Sequence, residues 1–270
     1  MTGFSLTRVA ALVLRYSYVL RSSWLRMLDT IYWPVAQLVT WGFLQTYLLR
    51  VNNGQFSTVE TATGALIGGV LLLDILFRAQ QGFSFSFLED IWSRNVANLL
   101  MSPMRPAEFI AALMTMSLIR LVLGTVPITI LAIFFFGFNL WSLGVALAAF
   151  FVVLVLFSWS VGLVISGLLL RYGMGAESLA WTVMFAIQPL GCVYYPVAVL
   201  PGWLQPICWA LPPTYVFEGL RSILIRHEMR WDLLAQGFAI DLALFAAAAI
   251  AFSRLLKAAR RAGTLLQSGE

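Results

Sequence analysis

The sequence predicts an all-α integral membrane protein: six transmembrane helices, an N-terminal interfacial helix, a helix on the inner face between the second and third spans, and an outer re-entrant helical hairpin. Three observations predict it. The chain is 61% hydrophobic and only 11% charged, with a mean hydropathy of +0.88, whereas soluble domains carry about 25% charged residues. Six apolar stretches approach or exceed the roughly 20 residues that a helix needs to cross a bilayer. Prolines cluster before the sixth stretch and interrupt any long helix there.

Those stretches use nearly all of the 270 residues, so one membrane domain, 1–270, is expected. It divides into an interfacial helix (1–30), a six-span bundle (31–255) and a cytoplasmic tail (256–270). The net charge of +5 sits beside apolar spans, where topology accounts for it, and no nucleic-acid partner is expected. The N-terminal apolar run Val9–Leu14 is short, flanked by Arg8 and Arg15, and does not resemble a cleavable signal.

In residues 1–30, Arg8, Arg15, Arg21 and Arg26 alternate with Leu, Val, Tyr and Trp24. That suits a helix lying along the membrane surface with its basic groups toward lipid phosphates. The spans are expected at Ile31–Leu49, Thr61–Gln81, Phe109–Phe136, Leu140–Leu170, Ser178–Tyr195 and Leu233–Phe252. Asn52, Asn53 and Gly54 form a turn after the first. Gly64-x-x-x-Gly68 in the second allows close approach of another helix, and Gly137-Phe138-Asn139 turns the chain after the third. Eleven basic residues then fall on inner segments and four on outer ones, which places both termini in the cytoplasm.

Between the second and third spans, Phe87–Leu100 has helical periodicity. Phe87, Leu88, Ile91, Val96, Leu99 and Leu100 form an apolar stripe, with Glu89, Asp90, Ser93, Arg94 and Asn98 largely off it. Asp90 and Arg94 are spaced for a surface pair. An ordinary interfacial loop helix would read the same way. Between the fifth and sixth spans, Tyr195, Pro196, Pro201, Trp203, Pro206, Pro213 and Tyr215 mark short helices and turns. Irregular apolar backbone of this kind is tolerated near a membrane when it is buried in protein or lines a wet cavity.

Two strings carry a resemblance. Arg94-x-x-x-Asn-Leu-Leu-Met-Ser-Pro103, followed by Glu108, resembles the cytoplasmic signature of ABC type-2 exporter permeases. Tyr195-Pro-x-x-x-Leu-Pro-Gly-Trp-Leu-Gln-Pro206, with Leu211-Pro-Pro-Thr-Tyr215 and Glu218-Gly-Leu-Arg221, resembles their outer hairpin. Pro213-Thr214 departs from the family's usual Leu-Thr. The resemblance covers essentially the whole chain. It implies a bacterial inner-membrane exporter subunit that dimerises and works with two copies of a separate ABC ATPase. It also implies that Phe87, Leu88, Glu89, Asp90, Ile91, Arg94, Leu99 and Leu100 belong to a helix that docks in a groove of that ATPase.

The residues themselves agree on one point. A P-loop needs a lysine after a glycine loop to reach the phosphates, and the one lysine, Lys257, lies in an arginine-rich stretch with no such loop. ATP and Mg are therefore expected on the partner, with no catalytic, cofactor or metal residue in this chain. Asp74, Arg78, Arg120 and Asp241 are ionisable residues inside spans and candidate gate or path contacts. Asp74 and Arg78 equally suit a self-neutralising structural pair, and Arg120 and Asp241 could meet each other. Glu218 and Arg221 are spaced to tie the outer hairpin. His227 is expected in a solvated loop. Cys192 and Cys208 are expected as buried free thiols, with a disulfide as the alternative. A scaffold or sensor anchor, an ion-coupled secondary transporter and a lipid-modifying enzyme are the rival classes. The last needs clustered acids or histidines, and this chain has one histidine and scattered acids. The cargo expected is hydrophobic or amphiphilic: drug-like, lipid or a lipid-linked glycan.

Overall fold

The computed structural model describes residues 3–22, 24–51, 57–102 and 104–262. The expected turn at Asn52–Gly54, Pro103 of the inner motif and residues 263–270 lie outside the described residues, as do the side chains of Arg26 and Leu100 and the surroundings of Gly64. Ten α-helices are described: α1 Leu6–Arg21, α2 Trp24–Val51, α3 Ser57–Trp92, α4 Val96–Met101, α5 Pro106–Phe136, α6 Val145–Tyr172, α7 Leu179–Leu190, α8 Gln205–Trp209, α9 Pro212–Arg221 and α10 Trp231–Ala262.

Among the described residues, four stretches are long and apolar enough to cross a membrane: Ala65–Trp92 in α3, Pro106–Phe136, Val145–Ala176 and Trp231–Arg261. The 28 residues of α2 reach about 42 Å at 1.5 Å per residue. The expected fifth span is shorter than its apolar sequence. Helix α7 has 12 residues, about 18 Å, because the chain turns at Gly191 and at Cys192, whose φ is 54°. The expected fourth span also starts later. Leu140–Leu143 form a 3-10 turn, and Gly144, at φ 52°, redirects the chain into α6.

Helix α3 is the mast of the bundle. Its most apolar stretch is 78% buried, against 28% for α10. Small residues let its neighbours close on it. A Cβ at Gly82 would stand 3.0 Å from Ser117 Cα of α5, so only glycine fits that approach. Hydroxyls then bond across the gap. Ser117 Oγ donates to the Ala79 carbonyl at 2.6 Å and Ser158 Oγ of α6 donates to the Leu76 carbonyl at 2.8 Å. Each such bond contributes about 0.6–2 kcal/mol in a membrane helix pair.

Helix α1 ends at Arg21, and α2 begins at Trp24 and runs on unbroken, so the surface helix is shorter than the expected 1–30. Its buried residues Val9, Leu12, Tyr16 and Leu20 recur every three or four positions and join a core with Phe83, Phe87, Leu88, Phe109, Phe252 and Leu256. One face of α1 is thus fastened to the ends of α3 and α5.

Candidate functional site: an elbow and a cavity

The expected amphipathic helix Phe87–Leu100 is two pieces. Phe87–Trp92 are the last residues of α3, continuous with the membrane mast, and Val96–Met101 form α4. The break is a Schellman turn. Arg94 takes the left-handed conformation at φ 53°, its N–H donates to the Ile91 carbonyl, and Asn95 N–H donates to the Asp90 carbonyl at 2.8 Å. Glycine usually occupies that position because a Cβ is disfavoured there. Helical spacing therefore does not carry from Asp90 to Arg94.

Of the residues expected off the apolar stripe, Ser93, Arg94 and Asn98 are exposed, but Glu89 and Asp90 are buried. Glu89 is 9% exposed and Asp90 is fully buried. Each has a cation from another helix. Asp90 receives the Tyr16 hydroxyl and lies 2.7 Å from Arg15 Nη2 of α1. Glu89 is held by Arg120 Nη2 of α5, 2.9 Å from each carboxylate oxygen. Glu108, in the first turn of α5, completes the set. Its Oε2 accepts from Arg105 N–H at 2.9 Å, and its Oε1 accepts from Ser5 N–H and Arg8 Nη2 at 2.8 Å. Three carboxylates thus clip α1, the end of α3 and the start of α5 into one elbow. In low dielectric such pairs hold firmly once each charge has its partner.

Above the elbow lies a cavity of about 670 Å³ between α2, α3, α5 and α7. Asp74 and Arg78 line it and pair as expected, with Arg78 Nε 2.9–3.0 Å from both Asp74 oxygens. The Arg78 guanidinium lies against Gly124 of α5, where a Cβ would stand 2.4 Å from Nη1. Glu89 and Arg120 line the same cavity. Arg120 and Asp241, which the sequence left free to meet each other or to line a cavity, do not meet. Arg120 is taken by Glu89, and Asp241 of α10 is fully buried with neither carboxylate oxygen hydrogen-bonded among the described residues. Three of the four candidate path charges therefore share one cavity, and Asp241 stands apart.

The outer segment forms a folded hairpin. Val197–Val199, α8 and α9 follow one another with turns between them. Glu218 Oε1 accepts from Val197 N–H at 2.8 Å and from Arg221 Nη2 at 3.1 Å. Arg221 also donates to the Cys192 carbonyl at 2.8 Å. That pair does tie the hairpin to α9. Pro213 and Tyr215 are buried, whereas Pro196, Pro201, Trp203 and Pro206 are exposed, and Tyr195 donates its hydroxyl to the Pro189 carbonyl. Cys192 and Cys208 are both buried and free, and His227 is exposed.

A family model described as ABC-2 type transporter matches residues 15–225. The match begins inside α1, takes in the elbow, the cavity and the hairpin, and stops before α10.

The chain belongs to the ABC-2 type transporter family.

A search of curated proteins gives no match. The membrane domain of this family is the permease part of an ATP-binding-cassette transporter and normally works with an ABC ATPase. This ABC-2 permease is accordingly a multi-pass membrane protein. Sequence reasoning found its paired Asp74 and Arg78 and its hairpin ties. It missed the roles of Arg8, Arg15, Tyr16 and Glu108 in the elbow. The available signal was the acid content of Glu89-Asp90 at the end of a long apolar helix, facing a basic helix that precedes it in the chain.

Proposed function

We propose that this ABC-2 permease is the membrane half of an ATP-driven exporter for a hydrophobic or amphiphilic cargo. Two ATPase subunits, carrying ATP and Mg, serve two permease protomers in a bacterial inner membrane. Helix α2, and α7 together with the outer hairpin that follows it, complete six crossings with both termini in the cytoplasm. The observation that carries the reading is the continuity of α3 from the elbow to the middle of the bundle. A push on α4 crosses the turn at Arg94 and from Trp92 onward reaches Asp74 and Arg78 along one unbroken helix. Asp90 and Glu108 pass the same displacement to α1 and α5. The exposed face of α4, with Asn98, is the surface offered to the motor.

Co-purification of the chain with an ABC ATPase tests this reading. Reversing or adding charge on the exposed face, with Arg94→Glu and Asn98→Arg, is expected to abolish ATPase retention while leaving the thermal transition of the permease within a few degrees. Full ATPase retention and transport in Ile91→Pro would refute the lever. Transport driven by an ion gradient with no ATPase bound would replace the reading with a secondary transporter, and an inert complex with normal assembly would favour a scaffold.

A further inference from the structure

We propose that the cavity between α2, α3, α5 and α7 is a binding site for a lipophilic monocation, an inference that rests on the exporter reading for its use but not for its chemistry. The walls are aromatic: Trp33, Phe77, Phe85, Trp92, Trp181 and Phe185. Four of them leave broad surfaces open, with Trp33 61%, Trp92 50%, Trp181 38% and Phe185 57% exposed. Two ring pairs bridge α3 and α7. Phe85 and Trp181 have centroids 5.2 Å apart, and Phe77 and Phe185 5.9 Å. Such rings offer negative faces to a cation.

The charges of the cavity decide the sign. Asp74 is neutralised by Arg78 and Glu89 by Arg120. The remaining charge among the described lining residues is Glu177, just before α7, which forms no ion pair among them. The described lining residues therefore carry a net charge of −1 in an apolar, ring-lined setting. An anion would meet that carboxylate, and a neutral guest would gain apolar contact alone. A cation gains both the carboxylate and the ring faces. Glu177 and Trp92 lie at the same end of the cavity, next to the elbow, which is the end facing the cytoplasm in the proposed topology. The acid is thus placed where a cation from the inner leaflet would enter. A volume of about 670 Å³ is within the range of pockets that enclose a small organic guest.

The test uses the full chain with its ATPase in nanodiscs, and two ions of matched shape and opposite charge, tetraphenylphosphonium and tetraphenylborate. Binding is read by quenching of tryptophan fluorescence after subtraction of empty nanodiscs. The phosphonium is expected to bind about tenfold more tightly than the borate. Glu177→Gln should shrink that preference about three- to tenfold, and because Glu177 is a partly exposed loop residue the variant keeps the fold. Trp181→Ala should weaken both ions. Equal binding of the two ions, an unchanged preference in Glu177→Gln, or loss of phosphonium binding when the second protomer is present would each overturn the site. ATPase association without phosphonium binding would sink the site and leave the exporter reading standing. Phosphonium binding by a chain that retains no ATPase would do the reverse.

Discussion

A single nitrogen of Arg120, Nη2, lies 2.9 Å from both carboxylate oxygens of Glu89. The two residues come from different helices, 31 positions apart, and both are at least nine-tenths buried. That contact turns two charges, each costly inside a membrane, into one neutral unit at the base of the cavity.

Breaking it from one side strands a charge. Arg120→Ala should destabilise the permease by about 3–5 kcal/mol, because Glu89 is left buried without its guanidinium. The double variant Glu89→Ala/Arg120→Ala should recover most of that loss. Thermal unfolding of the four proteins in nanodiscs, read as a double-mutant cycle, checks it. Equal loss in the single and double variants would mean that the pair contributes only packing.

The contact between Tyr16 and Asp90 gives the elbow a pH dependence. Burial, and then the neighbouring Asp90 charge, push the Tyr16 hydroxyl above its ordinary value of 10.0. The folded state therefore holds that proton more tightly than the unfolded state. Its contribution to docking α1 is complete below pH 10.0 and is lost as pH rises above it. Fluorophores on the exposed positions Leu14 and Thr115 should report α1 loosening from α5 only as pH climbs above about 10. In Tyr16→Phe the same labels should show weaker docking and no such tyrosine-linked step.

The left-handed Arg94 makes a steric prediction. A side chain there costs about 1–2 kcal/mol, and a β-branched one fits worst. Arg94→Gly should keep the elbow and exceed Arg94→Val in stability by about 1–2 kcal/mol. Denaturant midpoints of the two variants decide it. A more stable Arg94→Val would show that the turn is not held in the left-handed region.

The thiols of the outer hairpin should be inert. Burial, with Cys208 beside it, pushes the Cys192 thiol up to about 12, so little thiolate exists at neutral pH. Maleimide labelling at pH 8 should be slow in the folded permease and fast after denaturation. Fast labelling of Cys192 in the folded state would place that segment in water.

Much of the membrane design was legible along the chain. Apolar runs end where glycine takes positive φ, as at Gly137 after α5. The pair Asp74 and Arg78 could be read because one helix turn sets their separation, and Glu218 and Arg221 for the same reason. The end of the second span was harder. Phe87–Trp92 have the polarity of a surface helix, and the one glycine between them and Gln81, Gly82, serves close packing and does not break the helix. Polarity suggested a separate element, whereas backbone continuity made it the foot of the mast. Asp90 then finds Tyr16 at 74 positions' distance and Glu108 finds Arg8 at 100, and no local pattern encodes those meetings.

Hydropathy and the order of two motifs by themselves determined a membrane-embedded helical permease, because the cost of exposing backbone and charge to lipid leaves few other solutions. Which carboxylate meets which cation was decided only when helices distant in sequence were brought side by side. The packing also fixed where the elbow bends and which charge is left over in the cavity. These depend on distances between helices, and a linear pattern of residue types does not contain them.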